Sequence, residues 1–228
     1  MKFQHILILF ALCAAPALAD VKADIEACHR GDKVSCEDLA DAYDTGDGVP
    51  HDQAKALEYY NKACQMDSAY GCRWYGIYID PDFEEYKVEK NQQACAAAYK
   101  KGCDLDDASS CNNIGVIHRD GIGVEKNALL AKQYLTKACY EIEEGEGEAC
   151  LNLGYMFSNG KGIKADQVKA RAIYQKGCDE FENAASCYNL AIMYEYGEGG
   201  APDSKLEKAY YTKACENGDE DGCDALKP

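Results

Sequence analysis

Apolar positions recur along the chain at helical spacing, in blocks that repeat. In one block Cys150, Leu153, Gly154 and Phe157 fall at i, i+3, i+4 and i+7, which is one face of an α-helix. A Gly-x-Gly follows at Gly160/Gly162, as at Gly46/Gly48, Gly121/Gly123 and Gly197/Gly199. Glycine reaches the left-handed backbone that ends a helix and turns the chain. A second amphipathic stretch then closes on Tyr-x-Lys-Ala-Cys or a close variant. The predicted unit is helix A, glycine turn, helix B. Ala56, Ala131 and Ala170 fall at equivalent places on helix B, where a small residue lets helices approach.

The unit recurs every 36–39 residues, which predicts an all-α chain of stacked helix pairs. Five units run over about 36–71, 72–110, 111–149, 150–186 and 187–222, with partial caps at both ends. The second unit departs from the pattern. It is three residues longer, lacks Gly-x-Gly, carries Ile79-Asp80-Pro81-Asp82-Phe83-Glu84-Glu85-Tyr86 instead, and holds the only tryptophan, Trp74. It reads as a diverged repeat that still packs, or as an aromatic protrusion aimed at a partner.

Composition changes this picture through cysteine and charge. Of 228 residues, 14 are Cys. Twelve form neighbour pairs: Cys28/Cys36, Cys64/Cys72, Cys103/Cys111, Cys139/Cys150, Cys178/Cys187 and Cys215/Cys223. Separations within pairs are 8, 8, 8, 11, 9 and 8, and between pairs 28, 31, 28, 28 and 28. The near-constant stretch behaves as a rigid unit and the variable one as a loop. Eight residues of straight helix would span ~12 Å, too far for a disulfide, whose Cα atoms lie within ~7 Å. Bridged neighbours therefore require the chain to turn back, which Gly71, Gly145, Gly147, Gly218 and Gly222 would permit. Cys95 is left over at the place held by Ala56, Ala131 and Ala170, as a buried small hydrophobe, a reactive thiol or an intermolecular bridge.

The compartment decides between disulfides and metal. Met1–Ala19 reads as a removed secretory signal: Lys2 near the start, an apolar run Ile6–Leu12, and Ala17-Leu18-Ala19 before the cleavage point. Leu12 before Cys13 is a poor match to a lipoprotein signal. The mature chain, 20–228, would enter an oxidising space, periplasmic or extracellular, where disulfides persist. No later stretch is apolar enough to be inserted in a membrane. With 24 Lys+Arg against 40 Asp+Glu, the net charge of −16 argues against nucleic acid and anionic membrane surfaces as partners.

The units, such as CEDLADAYDTGDGVPHDQAKALEYYNKAC from Cys36 and CNNIGVIHRDGIGVEKNALLAKQYLTKAC from Cys111, resemble the Sel1-like repeat, a relative of the tetratricopeptide repeat. The likeness covers essentially all of Cys28–Cys223. Cysteines at both ends of each unit are similar to the secreted Helicobacter cysteine-rich protein family. The resemblance implies a right-handed superhelix in which neighbour cysteines bridge helix B of one repeat to helix A of the next. Six such short loops would stabilise the fold by up to about 15 kcal/mol in the chain-entropy picture, comparable with a whole domain's 5–15 kcal/mol.

Catalytic chemistry is sparse. His29, His51 and His118 make no zinc spacing, and Asp104-Leu105-Asp106-Asp107 and Asp219-Glu220-Asp221 make no EF-hand, so neither metal nor cofactor is expected. Ser158-Asn159-Gly160-Lys161 fits Ser-x-x-Lys, and the family resemblance carries an association with penicillin binding or weak β-lactamase activity. Yet it sits in register with the inter-helix turn, without Ser-Asp-Asn or Lys-Thr-Gly. The better candidate is the groove on the concave face, lined by the A helices. There the resemblance points to Asp38, Trp74, Asn113, Asn152 and Asn189, with Arg73, Asn112, Arg119, Tyr155, Tyr188 and Glu195 beside them. Asparagine is a poor helix former but offers a peptide backbone both a donor and an acceptor. The expected function is protein or peptide binding. The alternatives are a β-lactam or cell-wall hydrolase, and an inhibitor or immunity protein for an exported basic toxin.

Overall fold

The computed structural model describes residues 15–143 and 145–227, with side chains from Val21 onward. Of the expected leader, Met1–Ala19, residues 1–14 lie outside that description and the rest begin the first helix. The described chain is helical, without a strand: α1 Ala15–His29, α2 Lys33–Thr45, α3 Gln53–Gln65, α4 Ala69–Ile79, α5 Gln92–Asp104, α6 Ala108–Asp120, α7 Ala128–Thr136, α8 Gly147–Asn159, α9 Gln167–Asp179, α10 Ala184–Tyr196, α11 Ser204–Glu216 and α12 Glu220–Ala225. None is long and apolar enough to cross a membrane.

Short polar side chains start these helices. Asp32, Asp52, Asp107, Asn127, Asp166, Asn183 and Asp203 each accept from backbone N–H groups of the first turn, satisfying donors that a helix leaves orphaned. Gly46, Gly121, Gly160 and Gly197 end α2, α6, α8 and α10 in the left-handed region, with φ of 64° to 80°. The A helices are α2, α4, α6, α8 and α10; the B helices are α3, α5, α7, α9 and α11. Each packs on its sequence neighbours, and α4 also touches α6, α6 touches α8 and α8 touches α10. Consecutive B helices make no comparable approach. The A row is therefore the inner side of the stack.

Disulfides join each unit to the next. Cys28–Cys36, Cys64–Cys72, Cys103–Cys111, Cys139–Cys150, Cys178–Cys187 and Cys215–Cys223 are bridged, with Cα separations of 4.3–5.0 Å. Such closeness needs small residues beside the sulfurs, and the residue before each cysteine supplies them. Ala63 meets Gly71, Gly102 meets Ser110, Gly177 meets Ser186 and Ala214 meets Gly222. A Cβ on Gly71 would lie 2.6 Å from that of Ala63. This corrects the expected role of Gly71 and Gly222. Both lie inside helices, and they serve close approach instead of turning the chain. The left-handed residues of the joints are Gly31, Asp67, Asp106, Glu182 and Gly218. The longer Cys139–Cys150 joint takes up its extra residues partly in a π-helical turn, Lys137–Glu141.

Tyrosine fills much of the core. Tyr60, Tyr99 and Tyr174 are buried four residues before their B-helix cysteines, where α7 has Leu135. Buried hydroxyls need partners, and carboxylates on the A helices provide several. Tyr60 Oη donates to Asp41 (2.6 Å), Tyr211 Oη to Glu195 (2.8 Å) and Tyr78 Oη to Asp44. In the divergent second unit the 80–91 segment packs down. Tyr86 stacks on Tyr78 at 4.0 Å, and Lys87 N donates to Gln53 Oε1 of the preceding unit at 2.9 Å. Phe83 remains exposed.

Candidate binding face

The candidate residues lie on the A helices, and many of their polar groups are committed internally. Arg73, in the second turn of α4, reaches to the cap of α6, where its Nη1 lies 2.9 Å from Asp107 Oδ2, and its guanidinium also covers Tyr70. Trp74 stacks on Tyr60 at 5.9 Å, and its buried Nε1–H meets no acceptor among the described residues. Asn152 ties two repeats together. Its Oδ1 accepts from Arg119 Nη1 (2.6 Å) and its Nδ2 donates to Asn112 Oδ1 (3.0 Å). Arg119 also grips Asp120, which holds that carboxyl below its usual range. Asn189 turns back on its own helix and donates to Ala185 O at 2.7 Å. Tyr188 leans on Tyr211.

Tyr155 and Asn113 are more open. Tyr155 is exposed, with Lys161 Nζ 5.6 Å above its ring. Asn113 is half-buried at the edge of a cavity of about 190 Å³. Pro81, Phe83, Val116, Ile117 and Ile122 give that cavity its apolar walls, with Cys95 and Tyr99 also lining it. Cys95 is unbridged and 2% exposed, and burial pushes its thiol up, with Asp80 adding to the shift. Neither the cavity nor the tyrosine–carboxylate pairs were evident from spacing. The signal for the pairs was present: a Tyr four residues before a B-helix cysteine, and an Asp or Glu in the second half of helix A.

Charge is unevenly spread along the row: α2 carries Asp38, Asp41 and Asp44, the segment after α4 carries Asp80 and Asp82, and Arg119 lies in the last turn of α6. Asp38 is raised above the usual carboxylate range by partial burial and then by the fields of Asp24, Asp41 and Asp32. Ser158 lies in the last turn of α8, where carbonyl oxygens end the helix, and Lys161 is drawn to Tyr155. A developing serine oxyanion would meet the negative end of the helix dipole there. Among the described residues no group of three or more His, Cys, Asp or Glu side chains is disposed to hold a metal ion.

Comparison with known proteins agrees with the architecture. Residues 34–68, 108–141, 147–180 and 184–219 match the Sel1 repeat, and the chain belongs to that family. The divergent unit lies between matched segments. A protective antigen of uropathogenic Escherichia coli with an SLR fold superposes with a TM-score of 0.79 at 27% identity, over 90% of this chain and 43% of that one. This chain thus spans less than half of that protein. A Sel1 repeat protein from Oxalobacter formigenes gives 0.77 at 22% identity, over 93% and 86% of the two chains. An immunity protein from Pseudomonas aeruginosa shares the fold at 0.52 and 20% identity, over 95% and 86%. No curated protein is significantly similar in sequence.

Proposed function

We propose that this chain is an exported scaffold that binds a protein or an extended peptide along its inner A-helix row. Six disulfides in one repeat array suit an oxidising compartment, the periplasm or the medium. The observation that carries the binding reading is the mixed character of the inner row. It combines an open tyrosine at Tyr155, a half-buried asparagine at Asn113 and an apolar-walled cavity between α6 and the 80–91 segment. Interfaces favour this mixture of aromatic anchors and adaptable polar groups.

The test is capture of partners from envelope extract by the wild-type chain and by Tyr155→Glu/Asn113→Ala. Both positions can change without cutting the Asn112–Asn152–Arg119 link. A partner retained by the wild type and lost from a variant with an unaltered melting curve supports the face; equal recovery overturns it. The charge of −16 favours a narrower version, an inhibitor or immunity protein that masks a basic exported toxin.

A further inference from the structure

The cavity beside α6 has a specific origin. In the first and third to fifth units helix A ends on Gly-x-Gly, and the second glycines of the last three fit tightly against the preceding unit's B helix. A Cβ on Gly123 would lie 2.6 Å from Gln92. The second unit has no such turn. Its chain leaves α4 at Asp80, bends with Phe83 N donating to Asp80 O (3.2 Å), and returns when Asn91 N donates to Ile79 O (2.9 Å). This detour raises Pro81 and Phe83 as a wall opposite Val116 and Ile117, leaving about 190 Å³ between them. That volume is on the scale of one large aliphatic or aromatic side chain.

Its lining is two-toned. The walls are apolar, whereas Asp80, Asp82, Gln92 and Asn113 contribute polar groups. Asp80 Oδ2 accepts from Tyr99 Oη at 3.2 Å and Oδ1 from Asp82 N at 3.0 Å, so its carboxylate is held in place. Arg119, in the last turn of α6, belongs to the next unit.

We propose that this cavity is the anchor subsite of the inner row, taking one apolar side chain from an extended partner segment whose adjacent residues are lysine or arginine. The proposal rests on the binding reading given above. It adds the chemistry of the partner. The apolar anchor loses water against Phe83, Val116 and Ile122, and the basic neighbours meet Asp80 and Asp82. The same charges exclude an acidic segment.

Cys95 supplies a reporter, because it lines the cavity and the other cysteines of 28–223 are bridged. In the full chain carrying Cys13→Ser, a small methanethiosulfonate reagent would report access to Cys95. The probes are three fluorescent nonapeptide pools: leucine at the centre with lysine or arginine flanks, alanine at the centre with the same flanks, and leucine with glutamate flanks. The leucine–basic pool should bind about tenfold tighter than the alanine pool, as expected for burial of one leucine side chain, and tighter than the glutamate pool, whose flanks meet like charge. It should also slow Cys95 modification about tenfold. Val116→Trp, which fills the space, and Phe83→Glu, which charges its rim, should each abolish the leucine preference in a chain with unchanged circular dichroism. Equal binding of the three pools, or a leucine preference that survives Phe83→Glu, would overturn the anchor site. If envelope partners are still captured by Phe83→Glu but lost from Tyr155→Glu/Asn113→Ala, the anchor fails while the face stands. Capture unaffected by any of these variants defeats the face itself.

Discussion

Gly154 faces the ring of Tyr174 so closely that a Cβ there would lie 2.5 Å from ring carbon Cε1; Gly76 faces Tyr99 in the same way at 2.6 Å. Both tyrosines are buried, so their rings have little room to withdraw. Glycine is costly in a helix interior, and here close helix packing requires it. Gly154→Ala should lower stability by about 1–3 kcal/mol, the usual cost of overpacking a tight core, despite alanine's better helix propensity. Urea unfolding would measure it, and a gain in stability would show that α8 and α9 can separate at no cost. The same scale governs Cys95. Its buried thiol should be alkylated far more slowly in the folded chain at pH 8 than in urea; equal rates would mean that the site is open.

Helix starts illustrate the scale of the element. Asp166 caps α9 by accepting from Lys169 N at 3.0 Å, and Lys169 N also draws its carboxyl below the usual range. Glu146 occupies the same position on α8 but makes no capping bond. Its longer side chain instead leaves a buried oxygen without a partner, and burial raises its carboxyl. Removing the two should therefore have unequal effects. Asp166→Ala should lower stability, whereas Glu146→Asp, which brings an oxygen within reach of the first turn, should raise it. Paired urea titrations decide this, and an equal loss for both substitutions would refute it.

At the scale of the whole molecule, a stack with only nearest-neighbour contacts depends on its joints. Thermal melting followed by far-UV circular dichroism should fall steeply when reductant opens the six bridges; an unchanged melting temperature would refute their role. Tyrosine adds a second dependence. Tyr70, Tyr86 and Tyr210 are pushed up to about 12, and Tyr60, Tyr78, Tyr99 and Tyr211 are also raised, each chiefly by burial. An unfolded tyrosine ionises near ~10, so the folded chain holds these protons longer than the unfolded one. Stability from this source is complete below about pH 10 and is lost as pH rises toward 12 and beyond. Urea midpoints measured across pH 8–11.5 should decline above pH 10, and a flat profile would contradict the burial of these hydroxyls.

The linear order of residues was sufficient for the class of fold, because a repeat encodes its architecture locally. The i, i+3, i+4, i+7 pattern, the Gly-x-Gly caps and the 28-residue cysteine interval are each read within one unit, and stacking copies them. The second unit was legible as an exception, but not in its consequence. A cavity forms only where the 80–91 detour stands against α6 of the following repeat, and no local pattern encodes the gap between two elements. The roles of the polar residues were likewise settled by neighbours in space. Asn152 and Asn189 occupy equivalent positions, yet one spans two repeats and the other bonds its own helix, because Arg119 and Asn112 stand beside only the first. Gly71 and Gly222 looked like turn residues in the sequence. Packing made them contact residues, since the closeness of two helices is a property of both.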